Sequence, residues 1–87
     1  MNLKYIYKKM STIEFNFEGN LITIQCTPEE KMGEIIKRLI TKLGNKKKEE
    51  LYFLYGGGML DENLTFIKQA NENDKKRNTM SIIVNKK

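Results

Sequence analysis

The stretch LYFLYGGGMLDE, Leu51 to Glu62, decides the fold. Five apolar residues, two of them tyrosine and one phenylalanine, run directly into three consecutive glycines. A short, continuous, aromatic-rich apolar run reads as a well-buried strand. The glycines admit three readings: a phosphate cradle, a processing site or a turn. A phosphate loop continues into Lys and Ser or Thr and opens a helix, and GGGML does neither. Glycine's tolerance of positive φ makes a turn the better reading.

Upstream, STIEFNF (Ser11 to Phe17) alternates, with Ile13, Phe15 and Phe17 on one side and Thr12, Glu14 and Asn16 on the other. LITIQC (Leu21 to Cys26) alternates again, with Ile22, Ile24 and Cys26 together. Two period-two runs joined by a short loop containing Gly19 predict a β-hairpin. In TPEEKMGEIIKRLITKLGN, Met32, Ile35, Ile36, Leu39, Ile40 and Leu43 fall on one helical stripe. Gly44 and Asn45 stop that helix. Thr27, Pro28 and Glu30 match a capping box with proline at the first helical position, although Gly33 weakens the first turn.

Downstream, DENLTFIKQAN offers turn chemistry and one helical turn with Leu64, Phe66 and Ile67 as anchors. ANENDKKRN (Ala70 to Asn78) is polar, with nothing in it to be ordered by burial. TMSIIV (Thr79 to Val84) is a last strand with Met80, Ile82 and Val84 on one face. The expected architecture is α+β: one main helix packed on one face of a mixed four- to five-stranded sheet. Sealing that core puts the last strand parallel to the first. Cleavage after Gly57 or Gly58 would remove the last strand, which disfavours the processing reading.

Composition narrows the function. An 87-residue chain makes a single domain. The lone Cys26 forms no internal disulfide, which fits a reducing compartment. No apolar run approaches the roughly 20 residues of a membrane span, and MNLKYIYKKM lacks a signal-peptide core, so a soluble cytoplasmic protein is expected. With no histidine in the chain, the commonest general base and metal ligand is missing. Cys26 has no histidine to activate it, and its strand alternation points it inward. No spacing suggests a metal site, so no catalytic residue, cofactor or small-molecule substrate is expected. The net charge of +5 leaves nucleic acid open as a partner, yet acidic residues interrupt the lysine runs (KKKEE, ENDKKR).

The order and spacing of these features resemble the β-grasp fold of the ubiquitin-like family. The resemblance covers Ser11 to about Val84 and rests on the hairpin with Gly19, Pro28 after the second strand, the MGEIIKRLI helix, LYFLYGGGMLDE and the closing TMSIIV. It divides the chain into an N-terminal extension, residues 1–10, and a ubiquitin-like domain, residues 11–87. Ubiquitin-like modifiers carry a flexible tail closed by Gly-Gly, whereas this sequence ends VNKK. The resemblance therefore implies a non-conjugating protein-interaction module, an adaptor or a subunit of a larger assembly. A small basic RNA-associated protein is the alternative, and a modifier precursor lacking its tail is a third reading.

By position, the resemblance places a protein-binding patch at Leu54 and Ile83, with Ser81, Tyr52 and Gly58 around them. A second candidate surface is the groove between the second strand and the helix, lined by Leu21, Thr23, Lys37 and Arg38, where an extended peptide adds as a strand. In the extension, Leu3, Tyr5, Ile6 and Tyr7 form a candidate partner-binding arm.

Overall fold

A computed structural model describes residues 10–87. The arm residues Leu3, Tyr5, Ile6 and Tyr7 lie outside them. The elements, in chain order, are β1 (Ser11–Phe17), β2 (Asn20–Cys26), α1 (Met32–Leu43), a 3-10 turn (Lys48–Glu50), β3 (Leu51–Tyr55), β4 (Gly58–Met59), α2 (Phe66–Gln69), α3 (Glu72–Arg77) and β5 (Thr79–Lys86). The five strands form one mixed sheet in the order β2-β1-β5-β3-β4. The β1–β5 pair is parallel, and the other pairs are antiparallel.

Alternation decides which face meets the helix. Ile13, Phe15 and Phe17 of β1, Ile24 and Cys26 of β2, Leu51 and Phe53 of β3, and Met80, Ile82 and Val84 of β5 are all buried. The apolar stripe of α1 covers them with Met32, Ile35, Ile36 and Leu39, each fully buried, and Ile40 and Leu43 pack at its margin. Phe15 and Phe53 meet edge to face at 6.4 Å and 77°, the arrangement their ring quadrupoles favour. Leu60, Phe66 and Ala70 complete the core from the segment after the glycines.

The glycine run is a turn. Tyr55 pairs with Gly58, so Gly56 and Gly57 form a two-residue hairpin loop. Both have positive φ, 59° and 85°, the combination of a type I′ turn. Gly58 lies beyond it, in β4.

Two expectations need correction. The helix begins at Met32, not after Thr27. Thr27 and Glu30 do bond reciprocally: the Thr27 N–H donates to Glu30 Oε1 at 3.1 Å, and the Glu30 N–H to the Thr27 carbonyl at 3.2 Å. The result is an isolated turn. The first amides of α1 find partners far along the chain instead, as Met32 N–H donates to the Leu64 carbonyl and Gly33 N–H to the Glu62 carbonyl, both at 2.9 Å. Gly33 therefore does more than weaken the turn. A Cβ there would stand 3.3 Å from the Glu62 oxygen, so glycine is what admits the carbonyl.

The second correction concerns residues 70–78. Glu72–Arg77 is a helix, although its one buried side chain is Asp74. Polar bonds order it. Asn71 caps its N-terminus by accepting from the Asp74 N–H at 2.8 Å, and Asn78 closes it in the left-handed conformation. Asn78 also accepts from Ser11 Oγ at 2.7 Å and donates to the Met10 carbonyl, tying the helix exit to the start of β1.

A Cβ added at Gly57 meets nothing within 4 Å, so its penalty is conformational alone. Gly57→Ala should lower stability by about 1–2 kcal/mol, the price of the left-handed region for an L-residue. Gly58→Ala, outside that region and equally unobstructed, should stay near wild type. Urea unfolding midpoints of the two variants check this.

Candidate docking face

Among the described residues, the face of the sheet away from α1 carries no helix. Its residues are those left over from the buried alternation, and the register places them in rows. Asn16 pairs with Leu21 on β2 and with Ile83 on β5. Ile83 pairs with Leu54 on β3, and Leu54 with Met59 on β4. One row therefore runs across all five strands as Leu21, Asn16, Ile83, Leu54, Met59. Leu21, Ile83 and Met59 are 56%, 51% and 69% exposed. Leu54 is half-buried between two of them.

Polar residues flank this row. On one side Thr23, Glu14 and Ser81 are in register, and Ser81 Oγ donates to Glu14 Oε1 at 2.8 Å. On the other side Tyr52 pairs with Asn85. Of the residues expected for the patch, Leu54, Ile83, Ser81 and Tyr52 thus share this face. Gly58 does not contribute: it pairs with Tyr55, one residue out of phase, and Met59 takes the corresponding place. Met59 was missed, although a two-residue turn at Gly56–Gly57 puts it opposite Leu54. Phe17 is buried on the other face.

The second candidate surface is divided. Leu21 and Thr23 belong to the open face, whereas Lys37 and Arg38 extend from α1. Lys37 pairs with Glu34 at 2.9 Å, and Arg38 with Glu30 at 2.7 Å. The β2 edge itself is occupied. With a two-residue turn at Glu18–Gly19, Phe17 and Asn20 form the hydrogen-bonded pair, so the backbone groups of Leu21, Thr23 and Gln25 point outward. Lys42 Nζ donates to the Thr23 carbonyl at 3.3 Å, and Arg38 donates to the Gln25 carbonyl at 3.2 Å.

A polar cluster missed in the sequence stands at the far end of β3. Tyr55 continues the inward alternation of that strand and reaches α3. Its hydroxyl donates to Asp74 Oδ2 at 2.6 Å and accepts from the Asn71 N–H at 2.9 Å. Arg77 donates to the other Asp74 oxygen at 2.8 Å. Burial raises the Tyr55 pKa, and the adjacent carboxylate raises it further.

The Cys26 thiol is fully buried. Burial, with Glu30 nearby, pushes its pKa up to about 11, so at neutral pH it is a protonated, unreactive group. Among the described residues no His, Cys, Asp and Glu side chains gather as three or more around a metal-sized space. Nor is any described helix long and apolar enough to cross a membrane.

Solved structures with this arrangement decide the architecture. Ubiquitin from Caldiarchaeum subterraneum superposes with a TM-score of 0.69 at 10% identity, over 91% of this chain and 95% of that one. The fold is ubiquitin-like. A chain described under molecular mimicry of SUMO promoting DNA repair gives a TM-score of 0.68 at 17% identity, over 88% and 91%. A protein designed de novo on the basis of ubiquitin gives 0.64 at 18%, over 90% and 89%. No protein-family model and no curated protein sequence matches the chain.

Tyr55→Phe removes a hydroxyl that serves both Asp74 and the Asn71 amide, and should cost about 1–3 kcal/mol. A raised phenol pKa favours the protonated form in the folded state. The stability linked to it is present in full below the ordinary value of 10.0 and is lost as pH rises through the folded value. The gap between wild type and Tyr55→Phe in thermal unfolding should therefore narrow above that pH.

Proposed function

We propose that this protein is a non-conjugating protein-interaction module, an adaptor or subunit that docks on a larger assembly through the open face of its sheet. The observation that carries this reading is the apolar row. Four of its five residues are large and apolar, each comes from a different strand, and register alone brings them together. A row of this kind, rimmed by polar groups, is what a docking surface needs at its centre. Four strands of the five are held between neighbours or against α1.

The last strand, Thr79–Lys86, lies between β1 and β3 in the sheet, and the Lys87 N–H donates to the Glu50 carbonyl at 2.9 Å. The module is read as non-catalytic because the site residues are apolar or amide side chains and the thiol is sealed in the core.

A protein partner is preferred over RNA because several of the cations are matched locally. Lys48 pairs with Glu62, Lys86 with Glu18, Lys75 with Glu72 and Arg77 with Asp74. Such pairs offset the charge that phosphates would otherwise meet, and a phosphate-binding surface would show steep loss of affinity with salt.

Pulldown from native extract with wild type and with Leu54→Glu/Ile83→Glu is the direct test. Placing two carboxylates at the centre of the row should reduce recovery of a specific partner by at least about tenfold, equivalent to roughly 1.4 kcal/mol. Both positions are on the open face, so circular dichroism should be unchanged. Equal recovery of the same partners by both proteins would remove the patch from the reading.

A further inference from the structure

Edge strands present rows of unsatisfied backbone groups and invite pairing with another chain. Here the two edges differ. β4 is two residues long, whereas β2 is seven residues long and otherwise well suited as a template. Two of the three carbonyls it directs outward are covered by cationic side chains from α1: Thr23 by Lys42, and Gln25 by Arg38. Arg38 is held in place by Glu30, whose carboxylate also accepts from the Thr27 N–H. For Glu30, burial raises the pKa, but these bonds from Arg38 and Thr27 outweigh it and keep the carboxylate ionised to lower pH.

We propose that Arg38 and Lys42 are edge guards that keep β2 closed to strand addition by a second copy of this chain. An antiparallel strand can meet its own copy about a two-fold axis, with the same patch on both sides. A ladder that uses the outward groups of Leu21, Thr23 and Gln25 centres on Thr23 and sets Leu21 of each copy opposite Gln25 of the other, so it needs both of the guarded carbonyls. The side chains of Lys42 and Arg38 occupy the carbonyls such a partner needs, and they set two positive charges against the same two charges of the other copy. The guard thus leaves the open face as the surface a partner meets, with the sheet edge withheld. This rests on the docking-face reading only for its functional meaning, since self-association is measured without any partner.

The test is the mass in solution of wild type and of Arg38→Met/Lys42→Met, which keeps the aliphatic stems over the helix surface. Light scattering after size exclusion, over about a hundredfold dilution from about 1 mM, should give monomer for wild type and a twofold mass for the variant at high concentration. The amides of Leu21, Thr23 and Gln25 should slow in hydrogen exchange in the variant as it associates. Arg38→Lys/Lys42→Arg, which restores both cations, should return to monomer. A wild type that is already dimeric through β2 would overturn the proposal. So would a folded methionine variant that stays monomeric with those amides unprotected. If Arg38→Met/Lys42→Met does not fold, Lys42→Met alone gives the same two outcomes.

Discussion

The parallel seam between β1 and β5 is the constraint on which the other elements depend. It joins residues near the two ends of the described chain, with Ile13 beside Met80, Phe15 beside Ile82 and Phe17 beside Val84. A parallel pair cannot be closed by a tight turn, so the chain between must cross over, and α1 occupies that crossover. The seam also fixes the open face. Once Ile82 is committed inward beside Phe15, Ile83 is committed outward beside Asn16. The docking row is thus a by-product of the same alternation that fills the core. A one-residue slip of β5 would place Ile83 in the core and Ile82 in solvent.

Much of this was legible in the sequence because it rests on periodicity. The hairpin, the helix stripe and the last strand declare themselves by the spacing of Ile, Leu and Phe. From them follow the two faces, whereas the pairing of Leu54 with Ile83 in one patch came by position from the resemblance. Leu54's contact with Met59 was equally within reach, since two glycines in a tight turn fix which residues oppose each other. What stayed hidden is held by polar bonds. In residues 71–78 no apolar stripe exists, and the helix depends on Asn71, Asp74 and Asn78 finding a cap, a tyrosine hydroxyl and a serine. The N-cap asparagine three residues before Asp74 was the one local signal. The partner of Asp74, Tyr55, lies 19 residues earlier and reads simply as the end of a strand.

The edge of β2 shows a further limit of pattern reading. Leu21, Thr23, Lys37 and Arg38 are close in the fold, and position alone made them a groove. Whether a groove is open depends on where the long side chains end. Lysine and arginine carry enough reach to lie across a neighbouring strand and bond its carbonyls, which converts the expected entrance into a capped margin. Among the described residues, no such cover lies over Ile83 and Leu54.

Gly33 carries a consequence for motion. The first amides of α1 are satisfied by the carbonyls of Glu62 and Leu64, so the start of the helix and the loop after β4 share hydrogen bonds across some thirty residues of chain. Neither can open alone without leaving the other's polar groups bare. The first turn of α1 and residues 61–65 therefore belong to one cooperative opening unit. An opening of the loop that follows the β3–β4 hairpin therefore costs the helix its first two amide partners as well.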